Sequence, residues 1–116
     1  MKLTFEQIAE ACHEANRAYC HSLGDYSQLP WRMLSDERKS TTINGVEFCL
    51  ANPDVSPAKT HENWLAHKKS LGYVYGPQRD DTKKTHPCMK PYSELPPEQR
   101  AKDLIFQSVV STLKTF

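Results

Sequence analysis

The chain has 116 residues, and its 15 Lys and Arg against 14 Asp and Glu give a net charge of +1. This length suits one domain, residues 1–116, and 38% hydrophobic residues exclude a disordered chain. Near-neutrality excludes an overall electrostatic footprint for duplex nucleic acid, and no apolar run approaches the ~20 residues of a membrane span.

Two helices are predicted in the first half of the chain. The first begins after Thr4, which opens a capping box, and it ends near Gly24. The second begins after Ser35 and ends at the Asn-Pro pair 52–53. Gly45 lies inside this second helix, where it costs about 1 kcal/mol relative to Ala, and this indicates a close packing contact.

The second half of the chain predicts two more helices and a small β element. A third helix is expected to begin after Thr60 and to end at Gly72. Short extended pieces around 73–75 and 89–91 fit a small hairpin, or a pair of bridges, laid against helices. The fourth helix follows the prolines of 93–97, and its apolar spacing assigns it to the core. The predicted fold class is mainly α with a small β-hairpin (α+β), with about four helices.

Candidate binding residues concentrate between His61 and Tyr92. Aromatic rings can stack on a nucleotide base, and cations beside them can neutralise its phosphates. The aromatic candidates are Trp64, Tyr73 and Tyr75, and the cationic candidates are Lys68, Arg79, Lys83 and Lys84. The alternative is that the aromatic residues belong to the core and the cations are solvated, and composition does not decide between the two.

The polar face of the first helix also has two interpretations. His13, Glu14, Asn16 and Arg17 form this face, and a solvated surface is the ordinary explanation. The alternative is that Asn16, Arg17 and Tyr19 contact a ligand from across the fold.

No pattern in the chain indicates catalysis or a resident metal or cofactor. There is no GxSxG elbow, phosphate-binding loop or GxGxxG, and adjacent carboxylates of this kind usually cap turns or helices. The cysteines Cys12, Cys20, Cys49 and Cys88 match no zinc motif, and Cys12 and Cys49 fall on core positions. Residues 1–5 lack the apolar core of a signal peptide, so the predicted location is cytoplasmic.

Four segments of the chain closely resemble the ryanodine-receptor (RyR) repeat domain. In order, they are CHEANRAYC (12–20), INGVEFCLANPDVSP (43–57), HENWLAHKKSLGYVYGPQRDDTKKTHPC (61–88) and KPYSELPPEQRAKD (90–103). This domain occurs in tandem pairs in calcium-release channels and singly in bacterial and phage proteins. The chain is similar to a free-standing, single-repeat bacterial or phage member.

The resemblance implies a mostly helical domain with a short hairpin. In the channels, two repeats face each other about a pseudo-two-fold axis, and an adenine nucleotide can bind between them. The tryptophan of the H-x-x-W helix stacks there, which implies this role for Trp64, with Lys68 as the basic residue one turn later. Cys88 departs from a further basic position of one repeat. The residues that could substitute for it are Arg79, Lys83 and Lys84.

These features together predict a non-enzymatic binder of an adenine-containing nucleotide or a nucleotide-derived signalling molecule, ADP-ribose-like or cyclic. A homodimer would bring two copies of Trp64 together and rebuild a two-repeat site. The expected role is sequestration of the messenger, as in phage anti-defence sponges, in the cytoplasm, which would be the host cytoplasm if the chain is phage-encoded. The alternative is a protein–protein interaction module with no small-molecule ligand. The predicted ligand-binding residues are Trp64, Lys68, Tyr75, Arg79, Lys83, Lys84, His86, Asn16, Arg17 and Tyr19.

Overall fold

A computed structural model describes residues 2–115 and confirms the predicted fold class, with four helices and one small sheet. The helices are α1 (Phe5–Ser22), α2 (Asp36–Ala51), α3 (Pro57–Ser70) and α4 (Pro97–Leu113), with short 3-10 helices at Trp31–Met33 and Tyr92–Glu94. Met1 and Phe116, the two ends of the predicted domain, lie outside the described residues. Within 2–115, no helix combines the length and the apolar character that crossing a membrane requires.

Side-chain caps determine where the helices begin. Thr4 and Gln7 form the predicted capping box at α1, with reciprocal hydrogen bonds of 3.1 and 2.8 Å. The predicted start of α3 is wrong by one turn. Ser56 is the cap and Pro57 takes the first helical position, where the missing N–H of proline has no cost, so Thr60 lies inside the helix.

The β element is a parallel pair of two-residue strands, β1 (Val74–Tyr75) and β2 (Thr85–His86). The predicted second piece at 89–91 forms no strand, and the pair is not a simple hairpin. An antiparallel bridge between Asp80 and Thr85 reverses the chain a second time, so β2 runs in the same direction as β1. The element therefore ends with His86, whose ring contacts Trp64 in the middle of α3.

The core lies where α1 packs against α2 and α4, and α3 closes the bundle against α2 and α4. Cys12 and Cys49 are buried in this core, as predicted, and Trp31 joins them from the 3-10 helix. The predicted close contact at Gly45 is also present, because a Cβ there would lie 3.0 Å from Cζ of Phe106. The small residue lets α2 approach α4 where both helices line a cavity.

Candidate ligand-binding site

A cavity of about 220 Å³ lies between the four helices and the loop that follows α3. The helices line it with side chains spaced three, four or seven residues apart, which is the spacing of one helix face. On α3 these are His61, Trp64 and Lys68, and on α4 they are Gln99, Asp103 and Phe106. The site is therefore built from helix faces, which hold side chains more rigidly than a loop does.

The cavity wall has an excess of positive charge. Its Lys, Arg, Asp and Glu side chains are the cations Arg38, Lys68, Arg79 and Lys102 and the carboxyl of Asp103. Arg79 has a carboxylate partner only at 3.9 Å, in Asp81, and Arg38 donates a hydrogen bond to the neutral side chain of Gln28. Among residues 2–115, Lys68 and Lys102 form no ion pair within 4.0 Å. A cavity with this balance favours an anion.

Lys68 carries the most buried of these charges. Its residue exposure is 4%, and its Nζ lies 4.2 Å from the ring centroid of Tyr73 and 6.0 Å from that of Trp64. Burial lowers the pKa of Lys68 and the charge of Arg79 lowers it further, while Asp81 opposes this. Aromatic faces partly compensate the ammonium group, but they leave it without the carboxylate that a buried cation usually has.

Trp64 forms part of the wall next to Lys68. Its indole is half-buried and stacks on the imidazole of His61, with ring centroids 5.5 Å apart and planes 23° apart. The ring of His86 meets the indole edge-on, at 5.0 Å and 72°. Two imidazoles thus hold the indole in place within the cavity wall, one turn before Lys68.

His86 is a neutral hydrogen-bonding group at neutral pH. Burial lowers its pKa to about 3, and the nearby charges of Arg79 and Lys68 contribute to this shift. Its Nδ1 accepts a hydrogen bond from the backbone N–H of Cys88 at 3.0 Å. The ring proton therefore resides on Nε2, which can donate to a ligand but brings no positive charge.

Asp103 is the carboxyl of the cavity wall, and burial raises its pKa from 3.8 to about 7 even though Lys102 lowers it. Its side chain is 16% exposed and forms no hydrogen bond within residues 2–115; Nδ1 of His61 lies 4.0 Å away. The interpretation of α4 as a core helix alone is therefore incomplete. One face of α4 carries the polar residues Gln99, Lys102 and Asp103 together with Phe106, and this face lines the cavity.

Half of the predicted ligand-binding residues come together at this cavity. They are Asn16, Trp64, Lys68, Arg79 and His86. The Oδ1 atom of Asn16 is buried and has no hydrogen-bond partner in the part of the chain that is described. Its position on α1 agrees with the alternative in which that helix contacts a ligand from across the fold, rather than with a fully solvated polar face.

The other five predicted residues are not brought to the cavity. Arg17 pairs with a carboxylate on α1 at 2.8 Å, and Tyr19 donates to a backbone carbonyl of α4 at 2.8 Å. The Nζ of Lys84 donates to the carbonyl that follows α3 at 2.6 Å, which ties the loop to that helix. Tyr75 is 56% exposed on β1, and Lys83 is exposed in the turn before β2.

Sequence reasoning missed four residues that shape this site: Arg38 on α2, His61 on α3, and Lys102 and Asp103 on α4. A signal was present, because each of these helices repeats polar residues at the spacing of one face. That pattern is also what a solvated surface produces, so it could not be recognised as a cavity before the helices were assembled.

The chain was compared with known families, and a family model described as the RyR domain matches residues 54–116. The matched part covers more than half of the chain and includes α3, both strands and α4. It therefore contains Trp64, Lys68, His86 and Asp103, while α1 and α2 complete the cavity from outside the matched part.

Proposed function

The chain belongs to the RyR domain family, and from this premise we propose that it binds an adenine-containing nucleotide or a nucleotide-derived signalling molecule, such as ADP-ribose or a cyclic nucleotide. The observation that supports this most is the buried charge of Lys68, which is 4% exposed and has no carboxylate partner within 2–115. A phosphate would supply the missing negative charge through charge-assisted hydrogen bonds.

The order of residues on α3 suggests how such a ligand would lie. Trp64 and Lys68 are one helical turn apart on the same face, so a base beside the indole would place its phosphates near the ammonium group. Arg79 is partly exposed at the cavity and would contact phosphates that extend outward. His86 would donate a neutral hydrogen bond from Nε2 between the two parts.

Binding without catalysis, and hence sequestration, is the role we propose for this site. Burial raises the pKa of the Cys12 thiol to about 12, and that of His86 is about 3, so Cys12 provides no thiolate nucleophile and His86 no effective general base near neutral pH. Asp103, whose pKa is about 7, is the cavity group that could exchange a proton there, and we assign it to ligand binding. The proposed location is cytoplasmic, where the four free thiols would stay reduced. A mass spectrum of ADP-ribose after incubation would contradict this role if the ligand were chemically altered.

We also propose that a second copy of the chain completes the site. The cavity of about 220 Å³ is smaller than the roughly 300–1,000 Å³ of pockets that enclose whole ligands, so part of a dinucleotide-sized ligand would project from it. Two such copies about a two-fold axis would cover the projecting part. Sedimentation of a strict monomer, both with and without ADP-ribose, would contradict this model and leave only the single-chain cavity.

The experiment that tests the proposed function is calorimetric titration of ADP-ribose into the protein and two variants at Trp64. Stacking contributes about 1–3 kcal/mol per base, so Trp64→Ala should weaken binding by about 5- to 150-fold, whereas Trp64→Phe should retain most of the affinity. Circular dichroism of both variants controls for folding. No binding of ADP-ribose, ADP or cyclic AMP to the unmodified protein, or unchanged affinity in Trp64→Ala, would contradict the proposal.

A protein–protein interaction module is the second candidate, and the exposure of β1 favours it. Val74 and Tyr75 are 59% and 56% exposed, outside the cavity lining. If this surface is the functional one, Tyr75→Ser abolishes partner capture, and the unmodified protein shows no binding in the nucleotide titrations. Trp64→Ala would then be without effect on the partner.

A further inference from the structure

The carboxyl of Asp103 faces the cavity with its hydrogen-bonding capacity unused. Its nearest titratable neighbour is Nδ1 of His61, at 4.0 Å, which is too long for a hydrogen bond. Nε2 of His61 lies 2.8 Å from the carbonyl oxygen of Lys90, and since a carbonyl can only accept, the proton is on Nε2. Nδ1 therefore turns a lone pair toward Asp103, and this arrangement disfavours a negative charge on the carboxyl.

The other groups around Asp103 do little to stabilise its ionised form. The titratable side chains that line the same cavity farther along are Cys12, His13, Arg38, Lys68, Arg79 and His86. The titratable groups nearest Asp103 itself are Cys49 from α2, His61 from α3, Cys88 from the loop before α4, and Lys102 from α4. Lys102 is the cation among them, and burial outweighs it, so the pKa of Asp103 is about 7. Burial also raises the pKa of the three thiols, which therefore stay neutral.

We propose that Asp103 is the base-reading residue of the cavity: its carboxyl pairs with the amino edge of adenine through two hydrogen bonds, one donated and one accepted. A protonated carboxyl carries a donor and an acceptor on neighbouring oxygens. Adenine presents a ring-nitrogen acceptor beside its amino donor, which is the complementary pattern. This assignment rests on the proposed function, and it adds the chemical basis on which that site would distinguish one base from another.

The protonation state of Asp103 then controls which base is preferred. When the carboxyl ionises, it loses its donor and places a negative charge against the ring-nitrogen lone pair of adenine. Guanine presents an edge of N–H donors, and a carboxylate can accept hydrogen bonds from them. Ionisation of Asp103 therefore does not lower the affinity for guanine in the way that it lowers the affinity for adenine. The unpartnered Oδ1 of Asn16, on the same cavity wall, is available to accept the second hydrogen of an amino group.

The test is the affinity of ADP relative to GDP, measured by calorimetry at about pH 6 and about pH 8.5, on either side of the Asp103 transition. The two ligands share ribose and phosphates, so their affinity ratio cancels every titration that acts on those groups. The preference for ADP over GDP should fall by about 10-fold across this range in the unmodified protein. In Asp103→Asn, whose amide keeps a donor and an acceptor but cannot ionise, the ratio should be independent of pH.

Asp54→Asn, which changes an exposed carboxylate outside the cavity, is the matched control and should keep the full pH dependence. A ratio that does not change with pH in the unmodified protein, or that changes equally in Asp103→Asn, overturns the role of Asp103 and leaves nucleotide binding intact. Absence of binding by both nucleotides at both pH values overturns the proposed function, and the role of Asp103 with it.

Discussion

Replacing Asp103 with asparagine is expected to stabilise the fold above neutral pH by up to about 4 kcal/mol relative to the unmodified protein. The pKa of Asp103 rises from 3.8 to about 7 on folding, so between these values the folded chain holds a proton that the unfolded chain has released. The free energy of unfolding therefore falls as pH rises from about 4 to about 7. Asparagine fills the same space and has no such transition.

Urea denaturation followed by circular dichroism, at several pH values from about 5 to about 8, measures this effect. The difference in unfolding free energy between Asp103→Asn and the unmodified protein should grow from about 1.5–2 kcal/mol at about pH 5 to about 4 kcal/mol at about pH 8. Asp54→Asn, at an exposed position, should show a difference below about 0.5 kcal/mol throughout. Parallel pH profiles for Asp103→Asn and the unmodified protein would show that the carboxyl is not held protonated by the fold.

Titration of His86 changes the unfolding free energy with pH in the opposite direction to titration of Asp103. The pKa of His86 falls from 6.5 to about 3 on folding, so the stability it contributes is complete above pH 6.5 and is lost as pH falls toward 3. In the unmodified protein the two slopes partly cancel between about pH 4 and 6.5. Asp103→Asn removes one of them, so its stability should rise with pH over the interval where the unmodified protein changes little.

Replacing Lys68 with methionine should weaken ADP binding by about 10- to 100-fold and should not destabilise the protein. The binding loss follows because methionine removes the buried ammonium group that we assign to phosphate. Stability is preserved because removing a buried cation that has no carboxylate partner also removes its desolvation cost. The methionine thioether can pack on the ring of Tyr73, where Nζ now lies 4.2 Å from the centroid.

The matched control is Lys69→Met, which removes an exposed charge from the next position of the same helix. Calorimetry should find its ADP affinity close to that of the unmodified protein, and thermal denaturation should rank Lys68→Met as equally stable or more stable. If Lys68→Met binds ADP normally, Lys68 is not a phosphate contact. If it unfolds, the ammonium group has a structural role that outweighs its desolvation.

Much of the fold could be predicted because local chemistry determines it. The capping box at Thr4, the packing role of Gly45 and the proline-led start of α4 are read from a few neighbouring residues each. The start of α3 was misplaced for an equally local reason, since Ser56 and Thr60 are both good caps and Pro57 decides between them. The parallel strand pair was not predictable, because it depends on the second chain reversal at the Asp80–Thr85 bridge.

The candidate site could be predicted only in part, for reasons of assembly. Trp64 and Lys68 stand out on one helix, and family resemblance identified them, but their surroundings come from all four helices. Lys84 is a residue whose role could not be predicted from its neighbours in the sequence. Its sequence context favours a phosphate ligand, yet its ammonium group donates to a backbone carbonyl 2.6 Å away. Asp103 is the converse case, a residue in an apolar helix whose chemistry emerges only when burial changes its protonation.

The central claim, that a nucleotide occupies this cavity, is tested most directly by the indole N–H resonances of the two tryptophans during titration with ADP. Trp64 lies in the cavity wall, whereas Trp31 is 5% exposed in the core and serves as an internal control. We expect the Trp64 resonance to shift and saturate with ADP concentration while that of Trp31 moves much less. An ADP-independent Trp64 resonance, or equal shifts of both, would contradict binding at this site.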